Sequence, residues 1–292
     1  EYGDTDHSVP YLLTPYGGAT MNRSRARYWS YIPLVLLAIF YLIPVYVMLV
    51  TGFKAGDEIS LKTMWNFPHA LSLDNYKKAF ELLSPNLWNS LNIVVPAAII
   101  SSILGSLNGY VLAKWKFKGA DTIFTLILFG MFIPYQSILI PLVQFTNAIG
   151  LYGGLPGLVL VHVIYGIPIT TLTFRNYYAS IPNELVEAAK IDGAGMLGIY
   201  WNILLPISIP SFVVVLIWQF TQAWNDFLFS VVLTNPQNWT VTVALNNISG
   251  GQIVPWNLQM AASLLAALPT LLVYIFLGRY FLRGMMAGSL KG

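Results

Sequence analysis

Cysteine is absent from the 292 residues, and charge is scarce: 9% are Asp, Glu, Lys or Arg, against 56% hydrophobic. The first absence excludes a disulfide framework, a thiolate metal site and a thiol nucleophile. The second excludes a soluble enzyme, because soluble domains carry about 25% charged residues. It excludes disordered and fibrous proteins as well. A net charge of +3 is no argument for a nucleic-acid partner. No G-x4-G-K-[ST] occurs, so the chain binds no nucleotide through a P-loop. Neither His-Glu-x-x-His nor an aspartate pair marks an intramembrane protease. His7, His69 and His162 are scattered, with no second His at helical spacing, which argues against haem or metal ligation. With a mean hydropathy of +0.64, what remains is a polytopic membrane protein.

Five stretches carry no charge: 28–53, 82–113, 122–174, 193–225 and 227–278. A membrane helix needs roughly 20 apolar residues. The first two stretches hold one span each, near 31–51 and 88–112. The third holds two, 122–142 and 155–175, broken at Gln144–Gly154. A fifth runs from after Pro206 to about Leu233 through Asp226, and a sixth covers 257–279, beyond the polar run Asn235–Pro255. The fold class is therefore all-α with six transmembrane helices, since these runs lack the alternation of a barrel.

With six spans both termini share one side. That side holds eleven bases, among them Lys114, Lys116, Lys118, Arg175 and Lys190, and the other holds four: Lys54, Lys62, Lys77 and Lys78. The positive-inside rule puts the termini in the cytoplasm. The first span is too long for a signal peptide, and no small-residue cleavage site follows it. Residues 1–30 form a cytoplasmic N-terminal segment, 31–283 the membrane domain and 284–292 a cytoplasmic tail. Met21 reads like a natural start, which leaves 1–20 as either a native extension or an added remnant.

The longest cytoplasmic loop is 176–205, NYYASIPNELVEAAKIDGAGMLGIYWNILL. Pro182 suits a first helical turn, and Glu184 and Glu187 complement the positive end of its dipole. Asp192-Gly193 is a stop, since glycine takes the left-handed conformation after a helix. A second short helix, about Gly195–Leu204, leads to Pro206. The small residues Ala188 and Ala189 offer a smooth face to another protein. On periodicity alone this is equally an interfacial loop.

The spacing is more specific. Glu187-Ala188-Ala189, then Gly193, then Ile203-x-Leu205-Pro206 resembles the EAA loop of binding-protein-dependent ABC importer permeases. Ser72-Leu73-Asp74-Asn75-Tyr76, Trp224-Asn225-Asp226-Phe227 and the ending Arg283-Gly284-x3-Gly288-x2-Lys291-Gly292 are similar to the carbohydrate-uptake branch, in its smaller six-span, maltose and glycerol-phosphate type. Ser289-Leu290 departs mildly from that pattern. The resemblance implies the type I importer permease fold in a bacterial or archaeal inner membrane. It implies a second homologous permease subunit, two ATPase subunits that bind ATP and Mg²⁺, and an extracytoplasmic solute-binding protein that delivers a sugar. This chain would be non-catalytic, with no cofactor or metal of its own. Glu187, Ala188, Ala189, Asp192, Gly193, Ile203, Leu205 and Pro206 would couple it to the ATPases.

Within the spans, Asp226 is the sole carboxylate or fixed base, and intramembrane charges are functional suspects. It lies about 28 Å along its helix from the cytoplasmic start, where a capping or pairing role at the outer rim outweighs proton coupling. An ion-coupled secondary transporter using Asp226 is the rival class, though no internal repeat supports it. Trp218, Gln219, Gln222, Asn225 and Asp226 share one face, and Tyr135 and Gln136 have the same character. They either bond between helices or contact substrate. Gly105 and Gly109 form a G-x-x-x-G that suggests close helix packing, or a chance pair.

Overall fold

The structure, a computed structural model, describes residues 23–115, 117–250 and 255–289, and the side chains of that set from 31 to 280. The readings placed on residues 1–22, on the basic side chains before 31 and on the closing Arg283–Gly292 pattern lie outside it. Two compact units divide the chain, Glu1–Met48 and Leu49–Gly292. Helix α1, Arg23–Gly52, carries Pro33 and Pro44. After it, the second unit contains α2 (Asp74–Lys114), α3 (Ala120–Phe129), α4 (Leu139–Ala148), α5 (Leu155–Ser180) and α6 (Asn183–Ile191). A bent helix α7 (Met196–Ile207) leads into α8 (Ile209–Trp224), α9 (Leu228–Leu233), α10 (Val241–Gly250) and α11 (Trp256–Ser289). The described residues hold no strand, only a single bridge between Gly153 and Thr234.

Four helices are long and apolar enough to cross a membrane, and six spans result if each of two bent pairs is one span. The bends correct the expected elements. The span expected at 122–142 breaks by 90° between Phe132 and Tyr135. Pro134, at the break, lacks the N–H that would continue the ladder and biases its predecessor toward extended backbone. A second bend, of 77°, separates α7 from α8 at Ser208. The fifth span does not run through Asp226 as a helix: α8 stops at Trp224 and α9 starts at Leu228. The second span begins at Asp74 rather than 88 and is 41 residues long. At 1.5 Å per residue that is roughly 60 Å, about twice a bilayer core. Lys77, Lys78 and Glu81 hid its first turns, because the uncharged run starts after them.

Helices α2 and α5 form the principal contact, and glycine makes it possible. A Cβ on Gly105 would collide with Thr170, and one on Gly109 would lie 2.6 Å from the Arg175 backbone nitrogen. The G-x-x-x-G is thus a packing device, not a chance pair. Gly105 meets Thr170 and Gly109 meets Phe174 and Arg175, so the helices run parallel and Lys114 and Ser180 reach the same end. Phe212 of α8 stacks near Phe174 while Trp224, at the helix's other end, donates its indole N–H to Ala266 of α11 at 3.0 Å. Helix α8 therefore runs antiparallel to α5.

The Lys114 end closes over an aromatic core of Tyr110, Phe174, Tyr178 and Tyr200 with Ala189, Ile199 and Leu204. A chain of hydroxyls crosses it. Tyr200 donates to Ser106 (3.0 Å), Ser106 bonds Tyr178 (2.6 Å), Tyr178 donates to Ser208 (3.0 Å), and Ser208 donates to the Leu205 carbonyl (2.9 Å). Each buried O–H is satisfied in turn, as burial requires. The opposite end is held differently, by asparagines donating to loop carbonyls. Asn75 donates to Gly52 and Lys54, Asn86 and Asn89 to Trp239, Asn238 to Gly153 and Asn257 to Lys54, at 2.8–3.2 Å. Lys54 is itself buried, its ammonium donating to the Thr63 carbonyl at 2.7 Å and to that of Met64 at 3.4 Å.

Candidate functional site

Two sites emerge, a cleft around Asp226 and the surface of the 176–205 loop. The cleft encloses about 590 Å³ between α5, α8, the α8–α9 break and the start of the Tyr135 turn. The break exists because Asp226 can cap a helix. Its carboxylate accepts the Phe229 N–H at 3.3 Å and the Ser230 N–H at 3.0 Å, filling two donors that open α9. Its own carbonyl accepts the Thr242 hydroxyl at 2.6 Å. His162 approaches from α5, with Nε2 3.6 Å from the Asp226 carboxylate and no closer hydrogen-bond partner. Phe229 forms the floor, in ring contact with Tyr135, His162 and Tyr165.

The sequence candidates separate here. Tyr135, Trp218, Gln219, Gln222, Asn225 and Asp226 all line the cleft. Gln136 does not: it is exposed and outside it, because the turn after Pro134 sends adjacent residues to different sides. Gln219 is an interhelical bond. Buried, it donates to Ser101 of α2 at 2.9 Å, crossing α5 where Gly166 leaves room, since a Cβ there would collide with it. Asn225 donates to the Thr221 carbonyl at 2.9 Å, whereas Gln222 makes no bond within the described residues. His162, Tyr165 and Gly166 were missed as site residues. His162 was weighed only as a metal ligand; an imidazole inside an apolar run is in itself a polar group needing a partner, and that signal could have found it.

In the loop, helix α6 ends in a Schellman closure. Gly193 N–H bonds the Lys190 carbonyl at 3.0 Å and Ala194 N–H the Ala189 carbonyl at 2.9 Å, with Gly193 at φ +80°. A side chain at Gly193 would meet nothing within 4 Å, so backbone conformation alone demands glycine. Pro182 lies just before the helix, at the capping position, rather than in its first turn. The motif residues divide by face. Glu187, Ala188, Asp192, Gly193 and Pro206 are exposed, while Ala189 is buried and Ile203 and Leu205 pack against the aromatic core. The smooth face expected of both alanines is thus Ala188 only. Successive helical residues turn by about 100°, so the exposed sector that holds Glu187 and Ala188 ends before Ala189, which turns into the core. Lys114 fixes the entry to α6, donating to the Ile181 carbonyl at 2.5 Å and the Asn183 side-chain oxygen at 2.8 Å. Lys190 lies 4.3 Å over the Trp115 ring. The second short helix runs Met196–Ile199 and widens into a π-helical turn at Tyr200–Leu204. Around this surface Leu185, Ile191, Leu197 and Trp201 are exposed.

Residues 102–286 match the family described as the binding-protein-dependent transport system inner membrane component, and the chain belongs to it. It is a multi-pass membrane subunit, not the catalytic part of the transporter. A protein of Pyrococcus horikoshii named a probable ABC transporter permease is 48% identical over 271 residues, covering 92% of this chain and 98% of that relative. The xylose/arabinose import permease of Haloferax volcanii is 36% identical, covering 88% and 91%. The glucose import system permease of Saccharolobus solfataricus is 35% identical, covering 90% and 95%. Among solved structures, a bacterial ABC transporter that imports alginate matches with TM-score 0.76 at 21% identity, over 92% of this chain and 100% of that one. That likeness concerns the fold alone, and it supports the type I importer permease architecture.

Proposed function

We propose that this chain is the permease subunit of an ATP-driven importer for a sugar, forming the membrane pathway with a second, homologous permease. The named substrates of its relatives, xylose/arabinose, glucose and alpha-glucoside, support the substrate class. Two ATPase subunits, which bind ATP and Mg²⁺, dock on the cytoplasmic loops of the permease pair, 176–205 in this chain; an extracytoplasmic solute-binding protein supplies the sugar. Both termini and the Lys114 end are cytoplasmic, and the loop end around Lys54 and Asn238 is outside, with 31–283 as the permease domain. The observation that carries the coupling role is the Schellman-closed α6. It turns Glu187, Ala188 and Gly193 outward, while Ala189, Ile203 and Leu205 are embedded in a core shared with α2 and α5. A push on the exposed face is delivered to spans.

The test is sugar uptake and ATPase activity of the reconstituted complex carrying Glu187→Lys or Gly193→Asp. Both variants insert and assemble with the second permease but lose most of the stimulation of ATPase by loaded binding protein. Wild-type uptake by both would remove the loop from the coupling path.

A further inference from the structure

Helix α6, which carries Glu187 and Ala188, is joined to its covalent neighbours through two interrupted stretches of backbone. Before it, Ile181 is extended (φ −75°, ψ 135°) ahead of Pro182. After it, Gly193 takes φ +80°. A helical ladder crosses neither stretch, so each can serve as a pivot. A push delivered through these two joints alone would swing α6 without moving a span. Side chains from the end of α2 remove that freedom. Lys114, the last residue of α2, donates to the Ile181 carbonyl and the Asn183 side-chain oxygen, at the start of α6. Trp115, the next residue, lies with its ring 4.3 Å from the Lys190 ammonium, in the last turn of α6. Asn183 and Lys190 are about 10 Å apart along the helix. Between them Val186 and Ala189 are buried in the core that contains Tyr110 of α2. A rod held at one point pivots, whereas a rod held at both ends moves with its mount.

The Trp115 ring is itself held. Its backbone N–H donates to the Val111 carbonyl at 3.0 Å and closes the last turn of α2, so the side chain leaves from fixed backbone. The ring stands edge-on to Tyr110, with centroids 6.3 Å apart and planes at 81°. Tyr110 in turn stacks on Tyr200 at 5.6 Å and donates to the Met196 carbonyl at 3.0 Å. Among the described residues no carboxylate pairs with the Lys190 ammonium, so the indole face is the group that attracts it. We propose that Trp115 and Lys190 are positioning residues for coupling. With Lys114 they mount α6 on α2 at two points, so α2 receives a displacement of α6 before its covalent neighbours do. The glycine-fitted seam at Gly105 and Gly109 then passes it to α5. This mount rests on the importer reading above and adds which span takes up the push of the ATPase.

The test uses the complete importer in proteoliposomes, with its partner permease, ATPase chains and binding protein. The probe is whichever of D-glucose, D-xylose, L-arabinose and maltose stimulates its ATPase most. Sugar imported per ATP hydrolysed is measured alongside the KM for ATP and the amount of copurifying ATPase. Lys190→Met, which keeps the stem, and Trp115→Leu, which leaves α6 untouched, each lower the ratio roughly two- to five-fold, the range set by one cation–ring contact. The KM and the copurifying ATPase stay as in the wild type. Lys190→Arg restores the ratio, because a guanidinium also stacks on an aromatic face. The double variant is no worse than the poorer single one, as expected of partners in one contact. If Trp115→Leu does not assemble, Trp115→Phe replaces it and gives a smaller loss. Spin labels at Ile103→Cys and Glu184→Cys, with any cysteine of the partner chains replaced, report the α2–α6 distance. That distance is the same with and without ATP in the wild type and broadens in Lys190→Met. A wild-type distance that shifts on ATP binding overturns the mount, as does an unchanged ratio in Lys190→Met. A loss in Lys190→Met without one at Trp115 overturns it as well, since the lysine would then act on the ATPase directly, and so do losses that multiply in the double variant. The importer reading fails by a separate measurement, a wild-type ATPase that binding protein loaded with none of the four sugars stimulates.

Discussion

The two ends of the bundle are fastened by different chemistry. At the Lys114 end, short helices sit on a continuous aromatic core that extends into α2, α5 and α8, and the polar groups inside it are hydroxyls in series. At the Lys54 end, the segments 53–73 and 234–240 hold only short turns, and side-chain amides clip one carbonyl after another. A hydroxyl chain inside a packed core fixes the angle between helices, since each member has one donor direction and neighbours that cannot shift independently. Amide-to-carbonyl clips fix the path of a loop but leave the helices beneath it free to tilt. One end is tied into the spans through a packed core, and at the other the loops are fixed in path.

The contrast can be broken most severely at the α2–α5 seam that joins the two ends. Gly109→Val places a branched side chain against the Arg175 backbone and Phe174. Overpacking of this kind costs about 1–3 kcal/mol, and with backbone as the obstacle the upper part of that range is expected. Detergent-solubilised variant should unfold well below the wild type and lose both ends at once; a melting temperature within a degree of wild type would mean that α2 and α5 do not rely on the glycines.

At the Lys114 end, Tyr178→Phe removes the donor to Ser208 and leaves Ser106 with one partner fewer. A loss of about 1–3 kcal/mol is expected. Hydrogen exchange should rise in 196–208 and remain unchanged in 53–73. Equal change in both segments would erase the distinction between the ends.

The reciprocal probe is Lys54→Met, which deletes the ammonium bonds to the Thr63 and Met64 carbonyls while keeping the buried stem. About 1 kcal/mol of local stability is at stake. Proteolysis within 53–73 should quicken with the loop at 176–205 untouched. Identical cleavage kinetics would show that the lysine does not organise the segment.

The smallest effect on stability belongs to Gly193→Asp. The position is open to solvent and only its left-handed backbone resists the change, at about 1 kcal/mol. Thermal unfolding should scarcely move while coupled ATPase activity falls. A fall in melting temperature as large as that of Tyr178→Phe would assign Gly193 to folding rather than to coupling.

Much of this molecule was legible in its sequence because membranes impose simple rules. Uncharged run lengths gave the six candidate spans, glycine after Asp192 gave the helix stop, and paired glycines pointed to a close helix contact without naming α5 as its partner. What remained hidden depends on distant partners. A proline such as Pro134 interrupts a helix, but nothing local to it specifies the 90° bend found there. Lys54 read as a surface charge because nothing local says that Thr63 and Met64 will offer carbonyls to it. Gln219 and Gln222 looked alike on one helical face; only the Ser101 hydroxyl across α5 separates an internal bond from a cleft-facing group. His162 acquires its meaning from Asp226, 64 positions away in sequence, through a helix break that periodicity cannot reveal.

The glycine-fitted seam between α2 and α5 bears on how such a bundle can change shape. Thr170 seats in the hollow over Gly105 and donates to the Ser101 carbonyl at 3.1 Å, so sliding one helix along the other by even part of a turn would run side chain into backbone. Shear between them is therefore closed as a mode of motion, and the pair behaves as one stiff strut. Rearrangement is left to rotation at places where the backbone ladder is already interrupted: the elbow at Pro134, the corner at Ser208 and the gap at Asn225–Phe227. Two of these three joints border the Asp226 cleft, so turning about them changes the width of its mouth.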